Sequence, residues 1–476
     1  MPPTLPSARR RLLTAWHCVL ATTALGATGA DTPLADAAKQ QDWDLVQTLV
    51  AQGTDVESSQ PDGATALHWA AYWNNDEALG LLIDAGANVN AANDYGATPL
   101  WTACANRHGR AVDWLLDADA DPNRGLRSGE TPLMRCAHTG DPIAIRSLIG
   151  HGANIDATEP ERGQTALMRA AANQHPDVTQ ALLEAGADVN VRTSTVQQLR
   201  GTGERSTTSP QGATYFNAGG FTALLFAARH GDIHSARWLL EAGADVNDTG
   251  ADGNSALVLA TMSGHERLAQ YLLERGADPD ASGAGYTALH AAVLRAQPDL
   301  ITSLLDHRAD VNVPLAKSTP VPRWTYQHIF VRRETGATPL FLAAKYLEPT
   351  LVRLLADAGG DILLPLDDGT TALMAAVGLG SSRSTTRRNR LIAPELVAAG
   401  WDNGAQVLAT VQAVLDAGAK VTLDAIGRSG NTALHTAARN RFSAAADLLL
   451  ASGANADIRN ENGTTARELV DRLKPN

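Results

Sequence analysis

Four groups of side chains in this sequence have types and spacings that could support chemistry. His230 and His234 stand four residues apart, a separation at which two imidazoles on one helix can hold a metal ion. Between them lies Gly231-Asp232, which reads as a turn, so the two rings need not share a face and no metal site is expected there. Cys104 and Cys136 are two of only three cysteines, Cys18 being the third. They occupy small-residue slots whose offsets differ by one residue, which argues against bridging geometry. Buried thiols are therefore expected, with a disulfide in an oxidising compartment as the alternative. Carboxylates recur in turns such as Gly243-Ala244-Asp245-Val246-Asn247, where they serve loop hydrogen bonds and solvation. Arg383, Arg387, Arg388 and Arg390 form a cluster that is a solvated loop, a partner for the acidic body, or a grip on an anionic molecule. No HExxH, CxxC, GxSxG or phosphate-loop pattern occurs, and no carboxylate pair is set up for acid–base work. The sequence therefore predicts no enzyme and no cofactor.

The composition fits a protein that binds through many small contacts. Of 476 residues, 44% are hydrophobic, mostly Ala, Leu and Val, while aromatics are 5%. Such a chain buries many alanine-sized helix contacts and no single large core. Net charge is −12 and no basic stripe is present, which excludes nucleic acid as the expected partner. The first thirty residues differ: Arg9, Arg10 and Arg11 precede an apolar run from Leu12 to Leu25, and Thr28-Gly29-Ala30 offers small residues for cleavage. That order predicts a secretory signal peptide over 1–30, a mature chain from Asp31, and an exported, periplasmic or secreted location. The apolar run is short for a membrane span, so no stable span is expected after cleavage. Loss of three arginines and no acids makes the mature charge −15.

What must position these residues is a repeat. A Thr, once Ser, recurs at 32, 65, 98, 131, 165, 222, 255, 287, 338, 371, 432 and 465, followed by a small residue or Pro and, except at the last, by Leu. The first steps are 33, 33, 33 and 34 residues. Thr suits a helix N-cap, and Pro at the next position costs nothing because that N–H has no partner anyway. Leu67 and Ala70-Ala71, with their equivalents, give one apolar face and allow close helix approach. A turn such as Gly140-Asp141 reverses the chain into a second helix, ended by a glycine such as Gly243 in a left-handed C-cap. Asp119 and Arg308 stand where that glycine is expected. We number the units 1 to 11 from Thr32 to Thr432, with a half-unit at Thr465.

The segments Thr65-Ala66-Leu67-His68, Thr287-Ala288-Leu289-His290 and Thr432-Ala433-Leu434-His435 resemble the Thr-Pro-Leu-His signature of the ankyrin-repeat family. The resemblance spans residues 32 to 476 and implies an all-α solenoid of eleven helix pairs with β-hairpin fingers and a terminal half-repeat. Other units place Trp101, Met134, Met168, Leu225, Val258, Phe341 or Met374 in the His68 slot, so a regular histidine ladder is in doubt. Two of three insertions divide the repeats into blocks over 31–192, 219–312 and 335–476. Insertions 193–218 and 313–334 fall at finger positions, and 381–404 falls between the two helices of one unit. The first has few anchors besides Tyr215 and Phe216; the second mixes Trp324, Tyr326 and Phe330 with Arg332 and Arg333, a composition suited to docking.

In that family the contact face is the concave side, made by the fingers and the first helix of each unit. Its variable positions, carried onto this sequence, are Tyr72, Trp73, His138, Phe221, Arg229, His230, Tyr286, Arg295, Lys345 and Tyr346, with Trp324 from the insertion. Trp69 lies one step inward. The resemblance implies a monomeric, non-catalytic scaffold for another protein. A groove lined by aromatic residues for a glycan or other small molecule is the alternative.

Overall fold

A computed structural model of the chain describes residues 32–201, 213–318, 330, 334–378 and 403–472. The signal-peptide expectation, Trp324 and the arginine cluster lie outside these residues. Among the described residues 23 α-helices follow one another, the last of them, Ala466–Asp471, alone. Second helices are nine residues long except Asn403–Asp416, which has fourteen. Helices of this length do not persist alone in water, so the stacking of units must hold them.

Each first helix begins where the sequence places its cap. The side chains of Thr98, Thr131, Thr165, Ser255, Thr338, Thr371 and Thr465 accept from the N–H three residues on, at 3.1–3.3 Å. Two residues after the cap, Leu34, Leu67, Leu100, Leu133 and their equivalents are fully buried and run as a continuous core from unit to unit. First helices stack on first helices through the alanine-sized positions, and second helices stack on second helices.

Polar side chains then join each unit to the next. Asn90 Nδ2 donates to the Asp119 carbonyl (3.2 Å) while its Oδ1 accepts from Asp121 N–H (2.7 Å). Asn123, Asn247 and Asn312 repeat this double bond to the following unit. Asp156 and Asp280 hold the equivalent position and make only the accepting half, because a carboxylate has no donor. The bridge from Asn312 to Gly359 and Asp361 spans the second insertion, so units 8 and 9 are joined as the other units are.

Histidine links three of the joints. In His68 the Nδ1 accepts from Thr65 N–H (3.1 Å) and Nε2 donates to the Ala97 carbonyl of the next unit (2.9 Å). His290 bridges to Ala337 (3.2 Å) and His435 to Thr464 (3.1 Å) in the same way. The carbonyl needs a donor and the backbone N–H needs an acceptor, so the proton sits on Nε2 and Nδ1 is the accepting nitrogen. Burial, the largest influence, pushes the imidazole of His68 down and that of His290 down to about 4.

The cysteines depart from expectation. Cys104 and Cys136 form a disulfide between the first helices of units 3 and 4, with Cα atoms 4.6 Å apart. Packing through alanine-sized side chains lets these helices approach so closely that a one-residue offset still leaves both Cα atoms within bridging range. The first insertion is a finger: strands Val196–Gly201 and Ala213–Ala218 pair antiparallel, with Val196 opposite Ala218. Elsewhere among the described residues the finger turns carry only isolated bridges, such as Ser59 to Thr65.

Two predictions arise from these joints. The folded-state pKa of His290 lies below the unfolded value near 6.5. The stability it contributes is thus whole above about pH 6.5 and is lost as pH falls towards 4, about 3 kcal/mol for this residue. His290→Gln, which keeps a polar group at that helix position but does not titrate, is expected to flatten the fall in urea midpoint between pH 6.5 and 4.5. Arg308 adopts φ 67°, while at the equivalent glycines 53, 86 and 152 an added Cβ would meet nothing. Left-handed backbone is therefore the only strain at this position, and Arg308→Gly should stabilise by about 1 kcal/mol in urea unfolding.

Candidate interaction surface

Side chains four, seven and eight residues after each cap share one face of the first helix, since positions three and four apart are neighbours. In unit 2 these are Trp69, Tyr72 and Trp73. Trp69 is buried, with Nε1 donating to Gln60 Oε1 (3.0 Å) and Lys39 over its ring at 5.1 Å. Tyr72 packs edge-on against both tryptophans, at ring-centroid distances of 5.6 and 4.8 Å. Trp73 is 39% exposed, and its Nε1 reaches the Lys39 carbonyl at 3.3 Å.

Units 4 and 5 place two arginines, Arg135 and Arg169, at the same register. Arg169 Nη1 lies 2.7 Å and Arg135 Nη1 3.8 Å from a single oxygen of Glu130. Arg135 also lies over the Trp101 ring at 5.0 Å. His138, exposed beside them, accepts from Asn173 Nδ2 at 3.0 Å. Burial of its ring, then the charges of Arg135, Arg169 and His175, pushes its pKa down to about 4, so it is neutral at pH 7. Unit 6 presents Arg229 and His230, both exposed, and the half-buried Phe226. Burial, with Arg229 and His265, lowers the pKa of His230. Unit 7 adds Leu259 and Met262, both partly open. Arg295 of unit 8 is half-buried and donates to the Met262 carbonyl (2.9 Å), closing the end of the unit 7 helix. No group of three or more His, Cys, Asp or Glu among the described residues is arranged to hold a metal.

Of the eleven expected contact residues, Phe221, Tyr286 and Tyr346 are buried and Lys345 is half-buried. Phe221 is buried and packs edge-on against Phe226 at 5.6 Å. Tyr286 is 4% exposed, donates to Asn254 Oδ1 (3.0 Å), and meets the ring of Phe330 at 5.1 Å. Phe330 belongs to the second insertion, is fully buried, and also approaches His290 at 6.2 Å. Four residues on, the same insertion delivers Glu334, which pairs with Lys345 Nζ (2.8 Å) and accepts from the Tyr346 hydroxyl (3.1 Å). Phe330 thus packs on unit 8 and Glu334 on unit 9, and each covers part of that face. Register alone places these residues on the surface; it carries no sign of the returning segment.

The arginine pair is the feature that sequence reading missed. Its signal was available, in two arginines at identical offsets from Thr131 and Thr165 in consecutive units.

Comparison with known proteins places this arrangement. A family model described as "Ankyrin repeats (3 copies)" matches residues 34–125, 110–193 and 224–314, together more than half of the chain. The chain belongs to the ankyrin-repeat family. A single "Ankyrin repeat" model also matches residues 429–461. Among curated proteins it is similar to mouse "Ankyrin repeat and SOCS box protein 16", 28% identical over 197 residues, 38% of this chain and 39% of that one. The human protein of the same name is 31% identical over 198 residues, again 38% of this chain and 39% of that one. Human "Ankyrin repeat and SOCS box protein 6" is 40% identical over 96 residues, 19% of this chain and 18% of that one. The chain thus spans about two fifths of the length of the first of these relatives, and less of the last. The solved ankyrin repeat domain of human ASB11 matches with 28% identity and TM-score 0.43, covering 52% of this chain and 100% of that one.

The ankyrin face divides into open and filled stretches, which stability measurements can distinguish. Lys345→Met would leave Glu334, 1% exposed, without its ammonium partner and should destabilise by about 3 kcal/mol. Arg229→Met, at an exposed position, should stay within about 0.5 kcal/mol of the parent in the same thermal unfolding series.

Proposed function

We propose that this ankyrin-repeat protein is an exported, non-catalytic scaffold that holds a polypeptide partner along the first-helix face of units 2 to 7. The observation that carries the reading is the division of that face. Trp73, His138, Arg229 and His230 stand exposed on one side of the returning insertion, whereas units 8 and 9 are filled by the chain's own Phe330 and Glu334. Trp, Tyr and Arg are the side chains that dominate interface energies, and they lie on the open part. Six units along the chain offer a long track, suited to a folded protein or an extended segment. Trp69 is buried beneath Lys39, and Tyr72 packs edge-to-face with both tryptophans, so these rings are engaged with one another, which favours a polypeptide over a stacked glycan. Export draws its support from the N-terminal arginine–apolar–small order and from the Cys104–Cys136 disulfide, which an oxidising compartment maintains.

The test is affinity capture from the native exported fraction with the parent protein and with Trp73→Ala/Arg229→Glu. A defined protein retained by the parent and at least tenfold less by the variant is expected. Equal retention by both would sink the choice of face, and recovery of a carbohydrate alone would sink the class of partner. N-terminal sequencing of the exported chain should begin at Asp31; an intact Met1 start would count against export by cleavage.

A further inference from the structure

We propose that the finger turns of units 9 and 10 form the interface of a two-fold homodimer, in which the unit 9 turn of one chain meets the unit 10 turn of a second copy. These units lie beyond the track assigned above to a polypeptide partner, and the inference does not rest on that reading.

The first observation is a broken rule of the repeat. At the position where Asn90, Asn123, Asn247 and Asn312 bond the following unit, and where Asp156, Asp280 and Asp424 still accept from it, unit 9 carries Leu363. Leucine can make neither bond, so this joint lacks the polar bridge. The side chain is not buried in exchange: Leu363 is 44% exposed, and Leu364 beside it 40%. In unit 10 the stretch from the C-cap glycine to the bridging carboxylate, 418–424, takes two residues more than its counterpart at 86–90, and it displays Val421 at 78%. Ile426 on the same turn is 60% exposed. Four of the twelve large apolar side chains exposed among the described residues thus stand on two consecutive turns. A single exposed leucine is ordinary, whereas a group of this kind marks a contact surface.

The two turns adjoin. Asn312, in the slot that Leu363 fills, reaches the residues just after the second helix of the next unit. In unit 10 those residues include Val421. Farther along, a Cβ added to Gly369 would come within 3.0 Å of the Ile426 carbonyl, so the end of the unit 9 turn rests on Ile426.

Charge selects the occupant. The unit 9 turn, residues 359–371, holds Asp361, Asp367 and Asp368 and no cation. The unit 10 turn, residues 418–432, holds Lys420 and Arg428 against the single acid Asp424. Asp367 and Arg428 take the same place in their turns, each two residues before a left-handed glycine, Gly369 and Gly430. Both are exposed, and Arg428 enters no ion pair among the described residues. An apolar strip with acid at one end and base at the other is its own complement under a two-fold axis. Rotation sets the leucines against the partner's Val421 and Ile426, and Asp367 against the partner's Arg428. A partner of uniform charge would meet repulsion at one end. The strip is small beside a standard interface, so the dimer exchanges with single chains.

The test is sedimentation velocity of the full protein at concentrations from micromolar to submillimolar. A rise in mass from one chain towards two, and no further, is expected, because an isologous contact closes at two. Leu363→Asn/Val421→Ser, which returns the slot to the residue other units carry there, should raise the dissociation constant at least tenfold. Arg428→Glu and Asp367→Arg should each weaken self-association at least fivefold. An equimolar mixture of these two variants should recover it, since the mixed dimer again joins opposite charges at both ends. A parent that stays single at every concentration, or that grows past two chains, would overturn the proposal. So would association that survives Leu363→Asn/Val421→Ser, or a mixture no better than its components. A parent that stays single but loses capture of another protein through Leu363→Asn would give the strip a different occupant, and the two-fold reading would fall. Should the leucine variant fail to fold by circular dichroism, the mixing experiment still decides.

Discussion

A helix hairpin of this size ends in backbone groups that its own turns cannot satisfy, and in this protein the neighbouring unit satisfies them. Asn90, Asn123, Asn247 and Asn312 each accept one backbone N–H and donate to one carbonyl of the following unit. His68, His290 and His435 do the same work at the other end of the first helix. The asparagine bonds and the histidine Nε2 bonds are made between units, so a unit gains them only when it is stacked, and the helix faces are aligned as a result. The regular spacing of surface side chains, and with it the convergence of Arg135 and Arg169, follows from that alignment.

The repeat and its capping chemistry were legible because they depend on local rules. A Thr before a small residue and Leu reports an N-cap whatever surrounds it, and nine of those caps accept the backbone bond directly. Arg308 and Asp119 adopt the left-handed backbone that their place in the repeat demanded. The disulfide was not legible, since it depends on how closely two helices approach, a distance set by packing rather than spacing. Tyr286, Lys345 and Tyr346 were placed outside for a related reason. Their register faces outward, and only the return of Phe330 and Glu334 over units 8 and 9 covers them.

The same return shows how insertions and repeats divide their roles. The bridge from Asn312 to Gly359 closes across the inserted chain as if it were absent, so the stack tolerates it without a change of pitch. What the insertion alters is the surface on offer. It fills one stretch of the face with an aromatic ring and a carboxylate. Glu334 on Lys345 and Glu130 on Arg169 are in this sense parallel: each satisfies a cation of the face from within the chain.

The bridge between Cys104 and Cys136 carries a consequence for how such a stack comes apart. Units held by nearest-neighbour contacts fray from their ends, one joint after another. A covalent link between units 3 and 4 prevents that joint from separating, so fraying that begins at Thr32 is arrested two units in. The cationic pair lies immediately beyond the arrest point. Mechanical pull, thermal breathing or a protease working inward from the start of the stack would therefore meet a clasp before reaching the arginines, and the surface they form would outlast the units that precede it.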